Sequence, residues 1–427
     1  MDFHESLNYL YGLQKFGIKL GLDNIRALLA RLGHPERSYG VIHVGGTNGK
    51  GSVCAGLARI LREAGFRVGL YTSPHLHSFT ERIQIDGEAI SEAQVALYTD
   101  ELRMLSGEIP STFFEFTTAM ALLHFQRQKV DFVVLEVGMG GRLDATNAIE
   151  RPRVSVITPV CRDHMAHLGA ELSEIAAEKG GIIKSGIPLV IGRQSPRALE
   201  VLLALATQRE APARLCGRDF GPHSGPAGFT YRGMDVQLDH LRPGLIGAHQ
   251  HENLSLALAA AEELRRQGVP ISCSAMRAGV AGVLWPGRLE WWAGHPRVLL
   301  DGAHNEGGAA VLAAYLETLE NKGVRWVVGI KGDKDPQSIL ALLLPKVTAL
   351  YCTVPPVEDA VSPAILVATA ESAGRPARVF ASCREALIAA LVDCGEEEIV
   401  LVAGSLFLVA AAREYLLNGE SLISAQG

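Results

Sequence analysis

Between Val41 and Tyr71 the chain passes from a β-branched run through the glycine-rich stretch VIHVGGTNGKGS into an amphipathic run, and out into a second apolar run. Val41–Val44 reads as a strand. Residues 52–64 read as a helix, with Val53, Leu57, Ile60, Leu61 and Ala64 on one stripe, and Val68–Tyr71 reads as the next strand. A strand, a crossover helix and a second strand imply parallel pairing with right-handed connectivity. That commits the chain to an α/β fold whose strands are covered by helices on both faces.

The alternation continues. Val130–Val137, VDFVVLEV, is apolar without a break and too short for a typical helix, so it predicts a central strand buried on both faces. Val154–Thr158 predicts another strand, Leu172–Ile183 a helix and Ile187–Ile191 an extended run. Between about 205 and 245 glycine, proline and isolated charges dominate, and the expectation is short antiparallel strands or a surface excursion. A helix is expected over His251–Gln267. After a boundary near Trp285-Pro286-Gly287 the pattern restarts: strands at Arg297–Leu300, Val324–Ile330, Ala349–Val354, Arg378–Phe380 and Ile399–Ala403, with a helix over Glu306–Leu319 and others between. The expected organisation is an N-terminal P-loop ATPase-type domain with a mostly parallel sheet (1–285), then a smaller C-terminal doubly wound α/β domain (286–427).

With 427 residues, 48% of them hydrophobic, two domains are expected. A net charge of -6 and a pI of about 6.2 carry no nucleic-acid footprint. Mean hydropathy is +0.16, yet no run approaches about eighteen apolar residues, so no membrane span is expected. MDFHESLNYL lacks the form of a secretory signal. The seven cysteines form no C-x-x-C pair, which suits reduced thiols in the cytoplasm. Cys161 is read as core filler.

The glycine loop differs from G-x-x-x-x-G-K-[ST]: Gly51 separates Lys50 from Ser52, and Val44 holds the first glycine's place. Two readings are open, an anion cradle or a glycine-rich turn with a surface lysine. Strand and helix context favour the cradle, where unpaired N–H groups and the helix dipole attract phosphate. Lys50 would reach terminal phosphates, and Ser52 or Thr47 would supply a hydroxyl. A dinucleotide loop at Gly138-Met139-Gly140-Gly141 is disfavoured by Leu143 where glycine is required. Glu136 closes an apolar strand, where a lone carboxylate suits a magnesium ion or a buried ion pair with Arg142 or another arginine. Ser73 ends the preceding strand. His164 on its own reads as structural. No third spaced ligand makes His164 and His167 a zinc site.

The runs HVGGTNGKGS, YTSPHL, FFEFTT, LEVGMGGRLDATN, DHMAHLG with EKGGIIK, WPGRLE, LDGAHN, GDKD and VAGSLFLV occur in this order. Together, from about Gly12 to Leu416, they resemble folylpolyglutamate synthase and the bifunctional dihydrofolate synthase/folylpolyglutamate synthase of the Mur ligase superfamily. The resemblance implies an ADP-forming ligase that joins L-glutamate to dihydropteroate and to tetrahydrofolate through an acyl phosphate. It implies that Thr47, Asn48, Gly49, Lys50, Gly51 and Ser52 wrap the ATP phosphates. By the same resemblance Ser73 and Glu136 ligate one magnesium ion and His164 a second, and Lys179 carries a CO2-derived carbamate. A bare ammonium near two magnesium ions is repelled, which favours the neutral amine that takes up CO2. Taken alone, Lys179 would be an exposed helix lysine. Gly180 stands where the family usually has alanine. Asn253, Arg288 and Asp301 match nucleotide contacts, and His304 matches a residue approaching the phosphates. Ile18, Lys19 and Leu20, Phe113, Phe114, Glu115 and Phe116, and Leu143, Asp144 and Ala145 match pterin or pteroate contacts. A cytoplasmic monomer with small-molecule substrates, and neither nucleic-acid nor membrane partners, is implied.

Three alternatives stand beside this reading. A Mur enzyme acting on a peptidoglycan precursor usually has an extra N-terminal domain, and the roughly forty residues before the loop are too few for one. A nucleotide switch would need the loop but not Ser73, Glu136, His164 and Lys179 together. A monofunctional folylpolyglutamate synthase would share most of these motifs.

Overall fold

Gly40–Gly45 (β1) is the hub of an eight-stranded sheet. The computed structural model describes residues 1–16, 21–225, 228–292, 294, 297–320 and 323–424. In chain order the other strands are Val68–Tyr71 (β2), Ile83–Ile85 (β3), Glu88–Ala89 (β4), Phe132–Glu136 (β5), Val154–Ile157 (β6), Leu189–Ile191 (β7) and Ala213–Leu215 (β8). They lie in the order β4-β3-β2-β5-β1-β6-β7-β8. Pairing is parallel from β2 to β8, and β3 and β4 add an antiparallel edge.

Two consequences of this order matter for function. First, β2 and β5 lie on one side of β1 and β6 to β8 on the other, so the strand order reverses at β1, the switch point at which open α/β sheets bind ligands. Second, register brings the strand ends level: Val44 pairs with Glu136, Gly45 with Ile157 and Tyr71 with Leu135. β5 is buried throughout, as its unbroken apolar run requires, but it starts at Phe132 because Val130 closes a turn on Phe125. The helix after β1 is Lys50–Glu63, starting two residues before the expected Ser52. The next helix of interest, Leu172–Gly180, stops short of the expected Ile183. Gly181 caps it, and a Cβ there would lie 2.2 Å from the Arg142 Cα, so only glycine fits where these two backbones touch. The expected excursion after 205 resolves into the Pro196–Gln208 helix, β8, and a three-stranded antiparallel sheet of Gly221–Gly225 (β9), Gly228–Arg232 (β10) and Gln237–Leu241 (β11). Buried Glu262, on the Ala248–Arg266 helix, fastens that sheet by accepting from the Tyr231 hydroxyl and the Asp235 and Val236 amides.

The chain packs as two units. Met1–Val160, Leu168–Gly244 and Gln250–Leu284 form the first; Cys161–His167, Leu245–His249 and Trp285–Gly427 form the second. The second is built on Glu290–Trp292 (β12), Val298–Asp301 (β13), Gly323–Val328 (β14), Ala349–Cys352 (β15), Ala377–Val379 (β16) and Glu398–Ala403 (β17). Their order is β12-β13-β17-β14-β15-β16, parallel except for β12. Leu299, Trp326, Val328 and Leu401 form a core with Leu312, Ile339, Leu340 and Leu366 of the covering helices.

All seven cysteines are free thiols; Cys54, Cys352 and Cys383 are buried, whereas Cys161 is half-buried rather than core. No helix among the described residues is long and apolar enough to cross a membrane.

Candidate nucleotide and acid site

The loop after β1 is tied down on one side and open on the other. Thr158 donates its amide to the Gly45 carbonyl, and the Thr47 and Asn48 amides both donate to Pro159. Gly46 has φ 131°, and a Cβ there would lie 2.0 Å from the Thr158 hydroxyl oxygen. Gly49 has φ 88°, and a Cβ there would lie 2.3 Å from Asn253 Oδ1. Both glycines are therefore required by conformation and by contact. Gly49 precedes the Lys50–Glu63 helix, and no side chain caps it, so its first turn presents backbone donors. Thr158 Oγ1 is buried without a hydrogen-bond partner beside the same loop. These are the properties of an anion cradle.

Lys50 Nζ folds back to the Gly46 and Thr47 carbonyls, at 3.3 and 3.1 Å. Lys179 Nζ donates to the same Gly46 carbonyl at 2.9 Å, and the residue is 3% exposed, not the surface helix lysine that its local sequence suggests. Two cationic side chains thus meet at one carbonyl. Gly180 beside it leaves room that Leu205 fills, since a Cβ would lie 2.5 Å from Leu205 Cδ1. Ser52 and Thr47 are buried, and Asn253, also buried, receives orientation from Gln250 Oε1 at 2.9 Å.

Glu136 is buried, and its Oε2 accepts the Ser73 amide at 3.1 Å. Arg142, the alternative partner, instead pairs with Glu178 at 2.8 Å. A carboxylate and a neighbouring hydroxyl are hard oxygen donors of the kind magnesium takes, with phosphate and water completing the shell. Among the described residues no group of three or more His, Cys, Asp and Glu gathers for a metal.

The acceptor residues divide. Ile18, Lys19 and Leu20 lie outside the described residues. Phe113 and Phe114 are half-buried. Phe113 stacks on Tyr11 with centroids 5.7 Å apart, and Phe114 lies against Tyr71 and the Gly138 backbone. Phe116 is core. Glu115 closes a capping box with Thr112, accepting its amide and hydroxyl at 2.8 and 2.9 Å. Leu143 is half-buried and Ala145 buried. Asp144 accepts from the Met139 and Thr146 amides, and burial raises its pKa against the pull of those bonds and the Thr146 hydroxyl.

Local residue patterns gave no cue to Arg82. It is buried, donates from Nε to His75 Nδ1 at 2.8 Å, and lies 5.3 Å from the Phe113 centroid. His75 is pulled down to about 4 by burial and by Arg82.

In the second unit, Asp163 is a hub. It takes Asn305 Nδ2 at 3.1 Å and the buried Lys334 ammonium, with His304 Nε2 3.8 Å away. His164 donates its amide to the same carboxylate, has φ 50°, and places Nδ1 3.5 Å from Asp333. Although buried, the Asp163 carboxylate is held well below its ordinary range by His164, Lys334 and His304. His304 Nδ1 bonds the Gly302 carbonyl at 2.7 Å, and desolvation lowers the imidazole to about 4. Asp301 accepts the Leu289 and Ala303 amides, one on each oxygen, which shapes the turn carrying Arg288 and His304. Lys334 falls inside GDKD, but nothing in that run alone pointed to a partner 171 positions earlier.

These features define a P-loop-type α/β protein with a second, doubly wound α/β unit. The chain matches the Mur ligase middle domain over residues 44–261 and the Mur ligase glutamate ligase domain over 287–406. It is 39% identical to the dihydrofolate synthase/folylpolyglutamate synthase of Bacillus subtilis (strain 168), over 80% of this chain and 82% of that one. E. coli FolC in complex with DHPP and ADP superposes with a TM-score of 0.91 at 33% identity, covering 98% of this chain and 99% of that chain. The bifunctional enzyme from Yersinia pestis complexed with AMPPNP and Mn ion gives 0.87 at 33%, covering 97% and 98%. The chain belongs to the dihydrofolate synthase/folylpolyglutamate synthase family of Mur ligases.

Proposed function

We propose that this protein is an ADP-forming ligase that adds L-glutamate to dihydropteroate and to tetrahydrofolate. The observation that carries the reading is the convergence of Lys50 and Lys179 on the Gly46 carbonyl, with Glu136 and Ser73 on the adjoining strand ends. A carboxylate is a poor electrophile because its leaving group would be oxide. Its oxygen therefore attacks the γ-phosphorus of ATP, the bond to the β-phosphate oxygen breaks, and ADP leaves. The glutamate amine then attacks the acyl carbon, loses a proton, and inorganic phosphate departs.

Each residue has a physical task. Thr47 to Ser52 hold the phosphates through the amides from Gly49 onward at the helix N-terminus and the side chains of Thr47, Asn48 and Ser52. Lys50 offsets charge at the terminal phosphates. Glu136 and Ser73 would hold a first magnesium ion and His164 a second, and bound metal would supply charge screening between two approaching anions. Lys179, as a carbamate formed by its neutral amine and CO2 with loss of a proton, would present an anion on the metal side of the loop. Asn253, Arg288 and Asp301 are assigned to the nucleotide and His304 to its phosphates. Phe113, Phe114, Leu143 and Ala145 are assigned to the acceptor's ring. Glu115, Phe116 and Asp144 support them from the cap, the core and the 138–146 turn. A cytoplasmic monomer, and domains of 1–285 and 286–427, belong to the same reading.

The test measures ADP and product with dihydropteroate and tetrahydrofolate as separate acceptors, each with and without glutamate. Glutamate-dependent turnover of both is expected. Turnover of tetrahydrofolate alone would leave a monofunctional folylpolyglutamate synthase.

A further inference from the structure

Arg82 is 8% exposed, and among the described residues no carboxylate lies within ion-pair distance of it, although Glu136 and Glu81 act on its charge from farther off. Its guanidinium meets His75 Nδ1 and the face of Phe113. Burying a charge costs several kcal/mol, on the order of more than a cation–π contact of about 0.5–2 kcal/mol returns. The protein therefore holds a cation in place at a net cost, as a binding site for an anion does.

The surroundings specify the anion. The Arg82 carbonyl accepts the Thr72 amide at 3.0 Å, so its backbone is one residue from Ser73. Glu136 is near enough to act on its charge. Around the guanidinium stand Phe113, Tyr11 and Tyr71, with Phe113 stacked on Tyr11 and edge-on to Phe79. An aromatic acid whose ring lies among these faces would have the guanidinium beside it to take its carboxylate. Arg82 presents a planar fork matched to a carboxylate, and His75 fixes the fork's orientation through Nε.

We propose that Arg82 seats the carboxylate of the aromatic acid acceptor before that group is phosphorylated, with His75 as its positioning residue. This rests on the reading that the site takes a pteroate-type acid. Glutamate also carries carboxylates, and the experiment separates the two sources. Wild type, Arg82→Gln and Arg82→Lys are compared for melting temperature, for equilibrium binding of pteroic acid and of its carboxamide, and for KM with each substrate. Losing charge-assisted hydrogen bonds should weaken pteroic acid by about tenfold to a hundredfold in Arg82→Gln. The carboxamide should bind both proteins alike, Arg82→Lys should fall between, and the KM for ATP should not move. Equal weakening of acid and carboxamide would reduce Arg82 to a support for Phe113 and overturn the proposal, as would a KM rise confined to glutamate or no change at all. Wild type that binds neither ligand would instead remove the substrate reading, and this assignment with it.

Discussion

At the scale of single residues, the candidate site depends on charges kept where water cannot relieve them. Glu136 is the clearest case, a buried carboxylate held by the Ser73 amide. Glu136→Gln keeps the shape and the amide contact but removes the anion. It should fold with an unchanged melting temperature and lose at least about a hundredfold in magnesium-dependent turnover, since several kcal/mol of charge stabilisation are at stake. Wild-type rates across a magnesium titration would dismiss the assignment. Lys179→Ala makes a separate claim. It should be strongly impaired and regain part of its rate with a small carboxylic acid that stands in for the carbamate. Full activity without such an acid would exclude that modification. Local sequence singled out Lys50 and Glu136 because they sit next to strand or helix ends, whereas only the resemblance singled out Lys179, whose own surroundings read as a surface helix. Arg82 and Lys334 were not legible as site residues: each acts through neighbours set by the fold, His75 and Phe113 for one and Asp163 for the other.

At the scale of elements, the loop between β1 and its helix leaves the least freedom. Gly49 combines φ 88° with direct contact to Asn253, so Gly49→Ala must distort the turn or displace that side chain. Nucleotide affinity should fall by about tenfold or more, while the far-ultraviolet spectrum stays unchanged; calorimetric titration with a non-hydrolysable ATP analogue reads it. An affinity equal to wild type would mean that the loop tolerates a side chain and is not the phosphate cradle. Strands such as β1 and β5 were legible because burial on both faces leaves an unbroken apolar run. The sheet β9-β10-β11 was legible only as a weakened pattern, because its strands are short, glycine-bearing and largely exposed. Helix ends were misplaced for a tertiary reason. Gly181, the cap of its helix, packs its backbone on Arg142, which lies in a turn that no local pattern connects to it.

At the scale of the whole molecule, acid stability follows from a buried hydrogen-bond chain in the first unit. The Thr146 hydroxyl donates to Asp144, so it must accept from His43, which fixes the His43 proton on Nε2. Nδ1 is then a bare acceptor, buried and without a partner. A second proton has nowhere to bond, and burial first, then the Lys184 charge, lowers the imidazole to about 3. The sign follows from proton counting. Below about pH 6.5 the unfolded chain protonates this histidine while the folded chain does not, so acid favours unfolding. The contribution is nil above that pH and grows by about 1.4 kcal/mol per unit as pH falls toward 3. His43→Gln keeps a donor to Thr146 and removes the titration. Urea unfolding between pH 7 and 4 should show the wild type losing stability faster than His43→Gln, with the gap opening below pH 6.5 and absent above it. Parallel curves would mean that His43 takes up its proton in the folded protein, and the Asp144–Thr146–His43 order of donors would have to be reversed.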